Sequence, residues 1–142
     1  MATASIAKIF EEASKISNRD EKAAFLSKDP KAAGTIATIL KMALDPTIEF
    51  DLPEGAPPYK KNELVDQEGV IYREIRKTKN LLKSSTIPYI KKQALFIEML
   101  EKMAPEDAEL FIKAKDKEHL GRGITVNVAN KAFPGLINEK ND

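Results

Sequence analysis

Residues 29–46 read DPKAAGTIATILKMALDP, and the punctuation at both ends marks a helix. Asp29 offers a side-chain acceptor to the open amides of a first turn, and Pro30 takes the first helical position, where a missing N–H costs nothing. Ala33, Ile36, Ala37, Leu40 and Leu44 then recur at three- and four-residue steps, which predicts a helix over Pro30–Leu44 with one apolar side. Gly34 weakens the local propensity and is read as room for a close neighbour. Asp45-Pro46 ends the run, because proline pushes its predecessor out of the helical region.

The same period spreads outward in both directions. Upstream, Ile6, Ile9, Phe10, Ala13 and Ile16 form a first stripe. Ser17 or Asn18 caps a short second helix, with Asp20 or Glu21 three residues on, and Ala24, Phe25 and Leu26 turned inward. Downstream, a fourth helix is predicted over Gln67–Leu82, buried through Val70, Ile71, Ile75, Thr78 and Leu82. A fifth starts at Thr86-Ile87-Pro88 and runs to Met103, buried through Ile90, Ala94, Phe96, Ile97 and Leu100. Ala104-Pro105 divides it from a sixth carrying Ala108, Phe111, Ile112 and Lys115, with Glu106 and Asp107 complementing the dipole of its first turn. A short last helix is capped by Thr125 and stopped near Phe133 by Pro134-Gly135.

Residues 45–68 break the pattern. Ile48 and Phe50 alternate with Glu49 and Asp51, and the prolines and glycine of residues 52–59 exclude a regular element. This is either a loop with a task of its own or an extended strap held to the helices by Phe50, Leu52 and Tyr59. The chain therefore reads as all-α, a compact orthogonal array of six or seven helices with one long Pro-rich loop. It forms a single domain over residues 1–142, with N-terminal helices at 3–44, the strap at 45–68, C-terminal helices at 69–137 and a tail at 138–142.

The 142 residues, 42% of them hydrophobic, can build one core without staples. The absence of cysteine excludes disulfides, a thiol nucleophile and thiolate metal sites, and a single histidine, His119, excludes paired-histidine chemistry. His119 is read as a local cap or a nucleic-acid contact. Glu98 and Glu101 share a helix face but lack a third ligand, so no metal, no cofactor and no catalytic set is assigned. No apolar run reaches the roughly 18 residues of a membrane span, which predicts a soluble intracellular protein without a membrane partner.

The net charge of +1 is unevenly spread: residues 1–68 carry −3, residues 69–92 carry +6, and residues 93–142 carry −2. The central excess comes from Arg73, Arg76, Lys77, Lys79, Lys83, Lys91 and Lys92 against Glu74 alone. Such a local field attracts a polyanion, although two solvated helix faces would have the same composition. A second candidate is Gly121-Arg122-Gly123-Ile124-Thr125. Its glycines remove bulk, the amides of the helix that follows can receive a phosphate, and Arg122 can add a bidentate contact. The spacing is not that of a nucleotide P-loop, and a plain helix-ending turn followed by a cap reads equally well.

The stretch HLGRGITVNVANKAFPGLI, residues 119–137, resembles the end of the N-terminal helical DNA-binding domain of the ATP-dependent DNA ligases of tailed phages. Leu120, Gly123, Val126, Ala129, Asn130, Lys131 and Pro134–Ile137 carry the likeness, with Phe133 where that family would have tryptophan. The opening IAKIFEEASKISNRDEKAAFLSK, residues 6–28, is more loosely similar to the first two helices of that domain. The resemblance implies a helical array that lies on duplex DNA, contacts its backbone mainly in the minor groove and holds a nick. It also implies a backbone-phosphate contact at Gly121, Arg122, Gly123 and Thr125, with Lys131 facing DNA and Val126, Ala129, Phe133 and Pro134 supporting the short helix from the core side. Arg73, Arg76, Lys77, Lys79 and Lys83 are added as DNA contacts on charge alone. No K-x-D-G stretch for covalent AMP attachment occurs, and neither Lys115-Asp116 nor Lys117-Glu118 replaces it. The expectation is a stand-alone, non-catalytic phage version of the domain, monomeric in the host cytoplasm, binding intact or nicked duplex DNA without reading sequence. The alternative is a module that binds a phage or host replication protein.

Overall fold

The helix expected from DPKAAGTIATILKMALDP forms with the expected bounds, Pro30–Leu44, and Asp29 accepts the Lys31 amide at 3.0 Å. The computed structural model describes residues 6–62, 70–118 and 120–137, so His119, the start of the expected fourth helix at Gln67 and the tail at 138–142 lie outside the described residues. The helices are α1 (Ile6–Ser14), α2 (Arg19–Ser27), α3 (Pro30–Leu44), α4 (Val70–Glu74), α5 (Tyr89–Lys102), α6 (Pro105–Lys115) and α7 (Val126–Ala132). Helix α3 is the hub: α1, α2, α4, α6 and α7 all pack on it, while α5 lies against α6 and the segment after α4. One hydrophobic cluster runs from Ile6 to Ile137.

Being covered from several directions, α3 buries a wide arc rather than a stripe: Ala32, Thr35, Ile36, Ile39, Leu40, Met42 and Ala43 are inside, and Ala33, Ala37 and Leu44 only half-buried. Gly34 serves no close packing, contrary to expectation; it faces solvent, and a Cβ added there would meet nothing within 4 Å. In α2, Asn18 caps through the Glu21 amide at 3.0 Å, and the inward residues are Lys22, Ala23 and Leu26 rather than Ala24. Asp107, expected to serve its own helix dipole, is fully buried and accepts the Ala7 amide at 2.8 Å, so it caps the distant α1.

Two helices depart further from the sequence reading. Among the described residues the fourth is α-helical over Val70–Glu74, and Ile75–Leu81 is a 3-10 helix. Its apolar residues stand three apart, and three residues per turn stack Ile75, Thr78 and Leu81 into one buried ridge. Leu82 is thereby released to form an antiparallel bridge with Phe50, flanked by Asp51 N to Leu81 O and Lys83 N to Glu49 O at 2.9 Å each. No strand forms among the described residues. In α5, Ile90 is 78% exposed, Ala94 is exposed and Ile97 half-buried, whereas Lys92, Phe96, Met99 and Leu100 are inside. The rotation follows from Lys92, whose ammonium is drawn in by Asp51 at 2.8 Å and by the Ser85 carbonyl at 3.1 Å.

The Pro-rich segment is a strap. Phe50, Leu52 and Tyr59 pack on the core, and a buried latch holds the turn between them. Lys115 donates to the carbonyls of Pro53 at 2.7 Å and Gly55 at 2.9 Å and pairs with Asp116 at 2.6 Å, while Asp116 accepts the Gly55 amide at 3.1 Å. Burial, reinforced by Glu109, pushes the Tyr59 phenol above its ordinary pKa. No helix among the described residues is long and apolar enough to cross a membrane.

Candidate nucleic-acid interface

The period that buries Ile75, Thr78 and Leu81 sets Arg73, Arg76 and Lys79 on one exposed ridge. A 3-10 helix rises about 2 Å per residue, so Arg76 and Lys79 stand roughly 6 Å apart along the axis. The third ridge begins with Glu74, whose carboxylate is buried, lies 2.9 Å from Lys77 and is 3.7 Å from Arg73 Nε. That hydrogen bond to Glu74 holds the Lys77 ammonium above its ordinary pKa, so Lys77 is largely spoken for. Among the described residues Arg76 and Lys79 make no ion pair. Lys83 reaches Glu49 at 3.4 Å with both side chains exposed, a pair that exchanges readily in water. Lys92 leaves the basic face altogether, being 2% exposed and paired with Asp51.

The turn before α7 is built differently. Gly121 is packed, since a Cβ there would lie 3.2 Å from Ser14 Cβ. Gly123 has φ +74°, a conformation L side chains rarely adopt, and a Cβ on it would fall on the ammonium of Lys22. That ammonium donates to the Arg122 carbonyl at 2.7 Å, leaving the Arg122 side chain exposed. Thr125 caps α7 as expected, accepting the Val128 amide at 3.4 Å. Lys131 pairs with Asp20 at 3.0 Å, and Arg19 donates to Asn127 at 3.4 Å. Asn130 acts structurally, clamping both backbone groups of Ile137 at 2.8 and 3.1 Å. Ala129 is fully buried, Val126 and Phe133 are half-buried, and Pro134 is exposed, so proline gives no core support and Phe133 is a partial anchor.

The two candidate sets share α3 as a neighbour and otherwise stand on different elements. The Arg73–Lys79 ridge belongs to α4 and the 3-10 helix, which packs on α5, whereas α7 packs mainly on α2, with α3 beside it. The turn instead lies beside Lys15, just past α1, and Lys22 of α2, while Arg19 reaches α7 at Asn127, residues that charge counting passed over. The one available signal was Lys22, a lysine inside the apolar stripe of α2 beside Ala23 and Leu26. No group of three His, Asp or Glu side chains suited to a metal occurs among the described residues.

The chain belongs to a family of unknown function (DUF6433), whose model matches residues 9–120. That match covers α2 to α6, the strap and the basic ridge, and ends before the Gly121–Thr125 turn. No curated protein matches the chain.

Proposed function

We propose that this protein is a non-catalytic binder of duplex DNA, gripping the phosphate backbone without reading bases, as an accessory of phage DNA metabolism. The observation that carries the reading is the exposed row Arg73, Arg76 and Lys79, in which the last two have no carboxylate partner among the described residues. Cations in a row on one exposed face suit a regularly charged polymer, and such contacts release counterions while carrying no sequence information. Lys83 extends the row once its exposed pair with Glu49 yields to phosphate. The likeness of residues 119–137 to a ligase DNA-binding domain supports the same reading; Gly121, Arg122, Gly123, Thr125 and Lys131 would then form a second contact.

Fluorescence anisotropy with unrelated duplexes at several salt concentrations tests it. Affinity should be similar across sequences and fall steeply with salt. The double change Arg76→Ala and Lys79→Ala should weaken all duplexes alike and flatten the salt slope by about two units at most, roughly one per lost phosphate contact. Absence of binding at low salt would refute the reading. A second reading, docking of a phage or host replication protein, is favoured by Tyr89 and Ile90, which are 45% and 78% exposed in the first turn of α5. It would be supported by a partner whose binding is lost on Ile90→Glu while DNA binding is absent.

A further inference from the structure

A cleft of about 550 Å³ opens between the end of α1, the start of α2 and the turn before α7, and among the described residues no carboxylate lines it. Lys15, Lys22 and Arg122 supply its cations, and Ser14 and Ser17 its hydroxyls. Lys22 is the unusual member. It is 4% exposed, yet its ammonium has only the neutral Arg122 carbonyl, at 2.7 Å, and no carboxylate of the described residues within ion-pair distance. The other deeply buried lysines are compensated: Lys92 by Asp51 and Lys115 by Asp116. A buried cation without a counter-charge is costly, and an ammonium with one acceptor keeps two N–H donors to offer. The turn is shaped around that ammonium, because any side chain at Gly123 would displace it. Lys15 is held only by exposed Glu12 at 4.0 Å, so it can turn to a ligand.

We propose that this cleft binds a dianionic phosphate group, as a phosphate monoester or inorganic phosphate, with Lys22 as the fixed cation and Arg122 and Lys15 as mobile ones. A group carrying close to two negative charges at neutral pH matches a site with one preset and two adjustable positive charges better than a singly charged diester does. The inference does not rest on the DNA reading. The cleft and the Arg73–Lys79 ridge are built from different elements, and either can fail alone.

The test is thermal unfolding with inorganic phosphate up to about 20 mM, against sodium chloride of equal ionic strength. Phosphate at about ten times its Kd should raise the melting temperature by a few degrees. Lys22→Met should abolish the rise while leaving the basal melting temperature unchanged or higher, since methionine keeps the stem and removes a buried charge. Arg122→Gln, at an exposed side chain, should remove most of the rise without touching the fold. No rise beyond the chloride control would overturn the proposal, as would a rise undiminished in both variants. An advantage of a 5′-phosphorylated duplex over its 5′-hydroxyl counterpart would identify a strand end as the source; an advantage of a nucleoside monophosphate alone would identify a free nucleotide. The Arg76→Ala, Lys79→Ala protein should keep the phosphate response, which separates failure of this site from failure of the ridge.

Discussion

Removing the Lys115 ammonium should loosen the strap and cost a large share of the stability of the protein. Lys115→Met keeps the stem but strips the donor from the carbonyls of Pro53 and Gly55, and leaves Asp116, whose side chain is 6% exposed, without its cation. The Phe96 ring also loses the cation 5.6 Å from its centroid. Breaking a buried pair from one side costs about 3–5 kcal/mol, and the strap can swing outward to let water reach Asp116, which places the loss near ~3 kcal/mol. At roughly 4 °C per kcal/mol for a chain of this size, the melting temperature should fall by about 12 °C. Urea unfolding at neutral pH measures the free energy directly, and limited proteolysis should show new cleavage within residues 53–58. Lys115→Met with Asp116→Asn should recover at least half of the loss, because no charge is then stranded. A single-variant loss below about 1 kcal/mol, or a double variant that simply adds two losses, would refute the latch.

Three further outcomes are expected. Gly34→Ala should stabilise by about 0.5–1 kcal/mol, since the position is helical, exposed and open to a Cβ; a loss in urea unfolding would contradict this. Burial raises the Asp45 carboxyl pKa, but the hydroxyl and amide of Thr47, with Lys41 and Lys117, outweigh it and hold the group below its ordinary 3.8. The unfolded chain then binds more protons, so this contribution is complete above about pH 4 and is lost as pH falls through the folded value; Asp45→Asn should flatten the acid limb of a stability profile, and an unchanged slope would count against it. Finally, labelled ATP with magnesium should leave no radioactive protein band after denaturing electrophoresis, because no lysine here stands in an adenylylation motif.

What the sequence made legible was local. The caps at Asn18, Asp29 and Thr125 lie within three residues of the amides they serve, and all three act as their patterns imply. The strap could be recognised because prolines veto regular structure wherever they stand. What stayed hidden depends on partners far along the chain. The inward turn of Lys92 needs Asp51, the latch at Lys115 needs Pro53 and Gly55, and Lys117 donates to the carbonyls of Met42 and Asp45 at 2.7 and 2.8 Å. A lysine announces its charge but not its acceptor, so Lys92 was counted with the basic stretch, and Lys115, though placed on the inward side of its helix, had no partner to name. The ridge residues were found by charge, yet their alignment came from the 3-10 geometry, which an α-helical wheel cannot display. Lys22 was missed for the same reason as Lys92: its partner, the carbonyl of Arg122, is a hundred positions away.

The 3-10 helix also gives residues 75–81 a reading frame. With three positions per turn, every residue belongs to one of three registers: the core, the Glu74–Lys77 edge, or the solvent row. Substitutions within the solvent row alter the surface charge and leave the buried ridge in place. One inserted or deleted residue shifts every later position into the next register, carrying a lysine inward and an apolar side chain out. The downstream end cannot slide to absorb the error, because Leu82 is pinned to Phe50 through the paired backbones of Glu49–Asp51. Relatives of this chain that share the proposed binding should therefore exchange Arg and Lys freely in the cationic row but keep its charge, while the number of residues between Glu74 and Leu82 stays fixed or changes by threes.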